Sequence, residues 1–378
     1  MATRGISTSD FVQVIKPVPQ QVRSSVPKKK LVRRREEDRS QLVRRIVQFA
    51  FLALNLWVGI EFYAWVRFFE SGGVTKYVER PAGVDGWLPI DALMNLKLAL
   101  LTGSVPRVHP AGMFLLLAFL GVSLLFHKAF CSWLCPVGTL SEYLWKLGRK
   151  FLRRNFQLSR WLDIPLRGLK YLLLALFVWV IGRMSVEALA GFLSGPYGII
   201  ADVKIELLRH IGQTGAIVLA VLTLFSLVVQ NFWCRYLCPY GALVGLAALF
   251  SPTRIRREPE PCIDCGKCAK ACPAWLPVDR LVEIRSAECT ACMECVAVCP
   301  AQGALQLSVL KGARYSPRPR LLGRKGTITP WAMAACVAAI FLGLVGYARI
   351  SGHWQTRVPN AIYLRLVPNA DAESHPGM

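Results

Sequence analysis

The sequence predicts a mainly α-helical fold: a polytopic α-helical membrane bundle of about five transmembrane helices, with a cysteine-rich α+β domain inserted before the last helix. Two observations predict the bundle. Hydrophobic residues make up 54% of the 378 residues, and five apolar segments each reach roughly the 20 residues that cross a bilayer as a helix. The third observation predicts the inserted domain, because eight of the 13 cysteines lie between residues 262 and 299.

The charge of the chain is strongly basic. Lys and Arg outnumber Asp and Glu by 46 to 23, which is typical of a membrane protein with basic cytoplasmic loops. Nucleic-acid binding is the rival explanation of a net charge of +23, but the basic residues border apolar segments instead of forming one stripe. We therefore expect membrane lipid, and no nucleic acid, as a partner.

The chain divides into five predicted regions. Residues 1–45 form a basic cytoplasmic tail, and residues 46–250 form a four-helix membrane core. Residues 251–315 form the cysteine-rich domain. Residues 316–348 hold a basic linker and the fifth transmembrane helix, and residues 349–378 form an outer tail.

The predicted orientation follows from the basic residues. The first span begins after Arg44 and Arg45, so the positive-inside rule places its start in the cytoplasm. The basic stretch 146–170 and the cysteine-rich domain then fall on the same side. This predicts a multi-pass protein of the bacterial inner membrane with a cytoplasmic N-terminus. The five predicted spans lie near residues 46–67, 111–130, 168–186, 214–233 and 329–348.

Both halves of the cysteine-rich stretch follow the pattern C-x-x-C-x-x-C-x-x-x-C-P. Three thiolates spaced in this way wrap one face of an iron–sulfur cube, and the fourth, beside a proline, points to the other cube. Structural zinc is the alternative for paired cysteines, but it does not explain a C-P cysteine that crosses between the halves. The predicted ligands are Cys262, Cys265, Cys268 and Cys299 for one [4Fe–4S] cluster, and Cys289, Cys292, Cys295 and Cys272 for the other.

A second pattern, C-x-x-L-C-P-x-G-x-L, occurs where the second and fourth spans end. It places Cys131 and Cys135 in the first copy and Cys234 and Cys238 in the second, which indicates a parallel repeat of two hairpins. Cysteines four residues apart share one face of a helix, and the proline should end or bend that helix. Two such ends facing each other would form a redox or metal site with four thiols, while helix packing is the simpler alternative.

Three other residues stand out in the predicted bundle. Cys336 lies alone in the fifth span and is expected to be a core residue. His109 and His210 precede the second and fourth spans on the outer side, in matching halves of the repeat. They are candidates for accepting protons from a quinol, although surface hydrogen bonding is the commoner role of such histidines.

Taken together, the two C-x-x-x-C-P copies and the double ferredoxin run resemble the polytopic membrane ferredoxins, which include the NapH type and the C-terminal half of the regulator NosR. The resemblance covers roughly residues 45–310. It implies two [4Fe–4S] clusters and electron transfer between the quinol pool or a cytoplasmic donor and a periplasmic or membrane redox partner. The enzyme class that it suggests is a quinol dehydrogenase-like electron-transfer subunit. The fifth helix and the outer tail are additions to the four-helix core expected of this family.

The function predicted from these features is that of an inner-membrane iron–sulfur electron-transfer protein. The alternative is a metal-handling (copper) or assembly factor of a respiratory enzyme, because related oxidase accessory proteins combine membrane helices with a ferredoxin domain. In that case the C-x-x-x-C-P cysteines would bind Cu(I), a soft ion that prefers thiolate. The tails carry no Met-rich or further Cys/His metal motif that would support the alternative.

Overall fold

A computed structural model describes residues 31–34, 37–153, 156, 158–204, 213–309 and 326–373. The predictions made for His210, for the tail up to residue 30 and for the basic linker up to residue 325 lie outside these residues. The helices are α1 (Ser40–Glu70), α2 (Pro89–Thr102), α3 (Pro110–Phe126), α4 (Ala129–Trp133), α5 (Pro136–Leu152), α6 (Arg160–Arg183), α7 (Val186–Ser194), α8 (Pro196–Ile199), α9 (Ala201–Lys204), α10 (Gln213–Val228), α11 (Pro239–Leu249), α12 (Lys267–Ala271), α13 (Glu294–Ala297), α14 (Pro330–Ile350) and α15 (Asn360–Leu366), with a 3-10 turn at Ala82–Trp87 and a π-helical turn at Trp233–Leu237. The strands are β1 (Thr253–Arg257) and β2 (Leu305–Val309).

Three of the described helices, α1, α6 and α14, are long and apolar enough to cross a membrane. The second and fourth predicted spans correspond to shorter helices, α3 with 17 residues and α10 with 16. At 1.5 Å per residue each is about 25 Å long, which is less than the roughly 30 Å of a hydrocarbon core. The protein is therefore a mainly helical membrane protein with three candidate spans, and a total of five remains a prediction.

The expectation that the second span carries Cys131 and Cys135 on one helix face was wrong. Helix α3 ends at Phe126, because His127 has a φ of 59° and cannot continue the helix. The backbone N–H of His127 donates instead to Ser251 Oγ, at 2.9 Å. The two cysteines consequently fall in different elements, one in α4 and the other at the start of α5.

The helix of the second copy also ends before the first cysteine of its motif, but the turn that follows has a different geometry. Helix α10 ends at Val228, and Cys234 lies in the π-helical turn that follows. The backbone N–H of Cys238 bonds the carbonyl of Trp233, at 3.0 Å, which closes that wider turn. Pro239 then starts α11. Both copies thus consist of a helix, a broken turn and a new helix.

Helix α3 lies at the centre of the bundle and packs against α2, α11 and α14. The core around it continues without interruption into the cysteine-rich domain. One buried cluster contains Val122 of α3, Trp133 of α4 and Met333 of α14 from the membrane part. The same cluster contains Ile255 and Met293 from the cysteine-rich domain. Because membrane and cysteine-rich residues share this core, the position of the domain against the helices is fixed by packing.

The sheet of the cysteine-rich domain is small and its edges are covered. Strands β1 and β2 pair antiparallel. Thr327, which lies just before α14, forms an antiparallel β-bridge with Ser308 of β2. Arg33 forms such a bridge with Ala301. Segments from before α1 and from just ahead of α14 therefore both pair with the domain, which holds it at the end of the bundle where α1 and α14 begin.

A buried ion cluster closes the opposite end of the bundle. The Arg80 guanidinium donates to Asp202 Oδ2, at 2.7 and 2.8 Å, and to Asp85 Oδ1, at 2.5 Å. His109 Nδ1 lies 2.9 Å from the same Asp85 oxygen, and its Nε2 lies 3.1 Å from the carbonyl oxygen of Gly198. The cluster therefore joins the 3-10 turn, the start of α3 and the segment from α8 to α9.

The charges of this cluster are mutually compensating. Burial alone would lower the pKa of His109, but the charges of Asp85 and Asp202 and the hydrogen bond to Asp85 together outweigh burial and raise that pKa to about 9. Burial would likewise raise the pKa of Asp85, and the charges of Arg80 and His109 hold it below its usual value instead. His109 is completely buried between Asp85 and the Gly198 carbonyl, so it is not a hydrogen-bonding residue at the surface, and a part in accepting protons from a quinol remains a prediction.

Candidate functional site

The eight cysteines of the ferredoxin pattern line two separate cavities in the cysteine-rich domain. Each cavity takes three cysteines from one half of the pattern and the C-P cysteine from the other half. The structure therefore brings together the same two sets of four thiols that the spacing predicts, and their assignment as cluster ligands remains a prediction. The first cavity is lined by Cys262, Cys265, Cys268 and Cys299, and the second by Cys272, Cys289, Cys292 and Cys295.

The two C-x-x-C loops share one backbone conformation. Asp264 and Gly266 have left-handed φ values of 53° and 68°, and Ala291 and Met293 occupy the matching positions with 49° and 57°. Left-handed residues in a turn point successive N–H groups into one concavity, which suits a negatively charged group. Only one of the four is a glycine, so the conformation is not readable from turn residues in the sequence.

The thiols of the second cavity are also provided with N–H donors. Burial raises the pKa of the Cys272 thiol, while hydrogen bonds from the backbone of Leu276, Ala274 and Trp275 act to lower it. Hydrogen bonds of this kind to cluster sulfurs tune iron–sulfur centres. Four thiols around each cavity and donors aimed at sulfur are what a [4Fe–4S] cluster needs, so the residues fit the group.

The first C-x-x-x-C-P copy packs directly on the loop of the second cavity. Ser132 Oγ donates to the carbonyl of Thr290, at 2.6 Å, and Trp133 Nε1 donates to that of Ala291, at 3.2 Å. Both donors lie between Cys131 and the end of the motif, and both acceptors lie between Cys289 and Cys292. The residues between the two cysteines of this motif therefore make its contacts with the ferredoxin loop.

The second copy holds the other side of the same cavity. The Arg235 guanidinium lies 3.9 Å from the centre of the Trp275 ring, three residues after Cys272. Trp275 Nε1 donates to Gln230 Oε1, at 2.6 Å, and Arg235 Nε is fixed by Asp163 Oδ1, at 2.8 Å. Arg235 lies between the two cysteines of the motif, and this position in the sequence is the signal by which its role could have been found.

Further contacts tie membrane helices to the second cavity. Lys170 of α6 is fully buried and places Nζ 2.7 Å from both carboxylate oxygens of Glu288, the neighbour of Cys289. At the start of α1, Gln41 Nε2 donates to the carbonyl of Cys292, at 2.9 Å. Four helices or turns of the membrane part thus converge on the second ferredoxin cavity, three of them on the loop that carries Cys289 and Cys292.

The way in which the next helix starts explains the glycine in each C-x-x-x-C-P-x-G copy. Cys135 and Cys238 are the N-cap residues of α5 and α11, and their sulfurs accept hydrogen bonds from the N–H groups of Gly138, at 3.4 Å, and Gly241, at 3.2 Å. A Cβ on Gly138 would lie 2.2 Å from the carbonyl oxygen of Cys131. In the first copy this position therefore admits no side chain.

We expect Gly138→Ala to disturb the first motif far more than Gly241→Ala disturbs the second. The Gly138 Cβ meets a backbone oxygen that cannot yield without moving α4, whereas a Cβ on Gly241 meets Cys238 Sγ at 3.5 Å, an ordinary contact. A forced backbone shift of this kind costs about 1–3 kcal/mol. Thermal unfolding of both variants in detergent measures the difference, and equal unfolding temperatures would contradict the close packing at Gly138.

The four C-x-x-x-C-P cysteines face one large cavity of about 760 Å³ inside the helical bundle. Its volume is within the range of ligand sites. At the end near the ferredoxin domain it is lined by sulfur and aromatic rings, and at the other end by the segment that carries Arg80 of the ion cluster. Its lining residues include Phe51, Trp57, Glu61, Arg80, Trp87, Phe119, Cys131, Cys135, Cys234, Cys238, Tyr240, Leu342 and Arg349.

The structure brings Cys131, Cys135, Cys234 and Cys238 to one place, as the facing repeats predict. Within the residues that the structure describes, no three His, Cys, Asp or Glu side chains are close enough together to hold a single metal ion. The same holds for the described ferredoxin cysteines, because a cubic cluster would keep its four thiolates farther apart than a single ion does. A redox or metal role of these four thiols remains a prediction.

The prediction that Cys336 is a core residue was wrong, because its side chain is exposed on α14. The face of a membrane helix that points away from the bundle meets lipid, where a small apolar thiol needs no protein neighbour. Cys336 consequently lies outside the ferredoxin cavities and outside the C-x-x-x-C-P site.

These features define the class of the protein: a membrane-associated iron–sulfur protein of ferredoxin type. A family model described as a 4Fe-4S binding domain matches residues 108–155 and 211–258, the two halves of the repeat. A model described as a 4Fe-4S dicluster domain matches residues 254–300. The chain thus carries iron–sulfur binding domains in both its membrane part and its cysteine-rich part.

Known proteins place the chain in a family. It is 48% identical over 333 residues to "Putative electron transport protein YccM" of Escherichia coli (strain K12), covering 88% of this chain and 91% of the relative. It is 26% identical to "Ferredoxin-type protein NapH" of the same organism, covering 68% and 85%. It is 32% identical to "Regulatory protein NosR" of Pseudomonas aeruginosa, covering 48% of this chain and 25% of the regulator. The chain belongs to the family of membrane-associated 4Fe-4S ferredoxin-type proteins, which confirms the resemblance, and no solved structure matches it.

Proposed function

We propose that the chain is an inner-membrane protein that passes electrons between the quinol pool, or a cytoplasmic donor, and a partner redox protein. One observation carries the proposal. The cavity inside the bundle ends at the C-x-x-x-C-P cysteines, and the residues between those cysteines bond the loop of the second ferredoxin cavity. A lipid-soluble electron donor in the large cavity would therefore lie next to the C-x-x-x-C-P turn whose residues contact the ferredoxin domain.

The residues of the chain have distinct parts in this function. Two [4Fe–4S] clusters would be held by the two sets of four ferredoxin cysteines, and each bound cluster exchanges one electron. Trp133 and Arg235 hold the two sides of the second set against the bundle. The apolar walls of the large cavity exclude water and admit an aromatic head group with an isoprenoid tail.

The proposed orientation places the ferredoxin domain in the cytoplasm. The domain lies where α1 and α14 begin, and Arg44 and Arg45 stand at that end of α1. Basic residues at helix ends favour the cytoplasmic side. The ion cluster of Arg80 and His109 would then face the periplasm, where a partner redox protein is met.

We expect a quinol to reduce the iron–sulfur clusters of the purified full-length protein. The measurement is electron paramagnetic resonance of anaerobic protein in lipid nanodiscs after addition of a short-chain quinol, with dithionite defining full reduction. The expected result is a quinol-reduced signal that is a substantial fraction of the dithionite signal. Reduction by a low-potential cytoplasmic donor without any by quinol would remove the quinol pool from the proposal, and reduction by neither would overturn it.

The copper-handling alternative rests on the convergence of four soft thiols on one cavity. Cu(I) binding by a variant that lacks the eight ferredoxin cysteines would favour it. Absence of binding in that variant would leave electron transfer as the function.

A further inference from the structure

Glu61 is an ionisable residue inside a membrane-spanning helix. It lies within the predicted span 46–67 and within α1, and its side chain lines the large cavity. A carboxylate at the depth of the hydrocarbon is costly, so acidic residues in membrane helices are rare and mark ligand or proton sites. The position of Glu61 therefore calls for a polar group in the cavity.

No described residue of the cavity wall supplies that group to Glu61. Glu61 makes no hydrogen bond and no ion pair with any residue that the structure describes. The other carboxylate on the cavity wall, Glu79, is already bonded by Gln355 Nε2, at 3.2 Å. Two cations also line the cavity: Arg80 is fully engaged by Asp85 and Asp202, and the Arg349 guanidinium lies 5.7 Å from the centre of the Trp354 ring. Glu61 is thus the carboxylate of this cavity that is left to meet a ligand.

The surroundings of Glu61 restrict the chemistry of that ligand. Much of the wall is apolar or aromatic, including Trp57, Phe119 and Leu342. Along α1, Glu61 stands ten residues from Phe51 at the inner end of the cavity, a rise of about 15 Å. The space therefore takes an elongated apolar molecule that carries a hydrogen-bond donor at one point.

We propose that Glu61 accepts a hydrogen bond from a hydroxyl of a membrane quinol and so recognises the reduced form of the ligand; the inference rests on the proposed function. An ionised carboxylate has acceptors only. A quinol hydroxyl satisfies it, whereas a quinone carbonyl presents a second acceptor and leaves both oxygens unpaired. Glu61 thus gives the cavity a preference for the form that carries electrons.

The test compares two ligands that differ only at the two ring oxygens, which carry hydrogen-bond-donating protons in one and methyl groups in the other. Decylubiquinol and its dimethyl ether are titrated into the full-length protein in phospholipid nanodiscs, with excess dithionite so that no electron transfer occurs. Binding is followed by tryptophan fluorescence, because Trp57, Trp87, Trp233 and Trp354 line the cavity. We expect the wild-type protein to bind the quinol about tenfold or more tightly than the ether, as a charge-assisted hydrogen bond implies.

The variants separate Glu61 from its surroundings. In Glu61→Gln the preference for the quinol should fall to within about threefold, since the charge-assisted bond is lost while the shape remains. Glu61→Asp, which keeps the carboxylate, should retain the preference and serves if the amide variant does not fold. Glu187→Gln, an exposed carboxylate change on α7 away from the cavity, should leave both affinities unchanged.

Each outcome has one meaning. An unchanged preference in Glu61→Gln overturns the role of Glu61 and leaves quinol oxidation by this cavity in place. Absence of saturable binding by either ligand to the wild-type protein assigns the cavity to bilayer lipid, which overturns both this inference and the quinol arm of the proposed function. Reduction by a cytoplasmic donor would then remain to support the rest.

Discussion

Replacing Cys289 by serine is expected to remove about half of the iron that the chain binds. Cys289 is one of four thiols around the second cavity, and a serine hydroxyl is a poor ligand for iron in a sulfur-bound cube. With two [4Fe–4S] clusters the chain would hold roughly eight iron atoms, so loss of one cluster leaves about four. Iron analysis of anaerobically purified protein measures the change.

The matched control for this experiment is Cys336→Ser, whose side chain is exposed on α14 outside both ferredoxin cavities. It should leave the iron content unchanged. The same analysis on Cys131→Ser reports whether the C-x-x-x-C-P thiols add iron of their own. Full iron content in Cys289→Ser would show that this residue is not a ligand and would overturn the assignment of the second set.

The substitution Arg80→Met is expected to destabilise the fold by about 3–5 kcal/mol, the cost of breaking a buried ion pair from one side. Arg80 compensates Asp85 and Asp202, whose side chains are completely buried. His109 still neutralises Asp85 after the substitution, so the uncompensated charge falls mainly on Asp202. Thermal unfolding of the protein in detergent, followed by circular dichroism, measures the loss.

Arg107→Met is the control for Arg80→Met. Arg107 lies two residues before His109 on the same outer segment, but its side chain is exposed. Substitution of an exposed cation usually changes stability by less than about 0.5 kcal/mol. If Arg80→Met unfolded at the temperature of Arg107→Met, water would reach the two aspartates and the cluster would not stabilise the outer end of the bundle.

The ferredoxin cysteines could be grouped from the sequence because their spacing reports the chemistry of the ligand directly. C-x-x-C-x-x-C with a distant C-P cysteine needs no knowledge of the fold. The long apolar helices α1, α6 and α14 were equally accessible, since length and composition define them.

The ends of the shorter helices were not accessible from the sequence. The break at His127 depends on a hydrogen bond to Ser251, a partner 124 residues away. The ion cluster likewise joins Arg80, Asp85 and Asp202 across the chain, and a linear pattern does not show that such charges meet. Glu61 was hidden for a simpler reason, because one carboxylate scarcely lowers the apolar character of a long segment.

The many bonds between the membrane part and the ferredoxin loop bear on how the protein can be studied. Ser132, Trp133 and Gln41 all donate to backbone carbonyls of residues 290–292. A soluble fragment beginning near residue 251 would leave those acceptors to water and bare the apolar surface that now rests on α3 and α4. Midpoint potentials recorded on such an excised fragment would describe a different electrostatic environment, so the redox titration belongs to the intact chain in its bilayer.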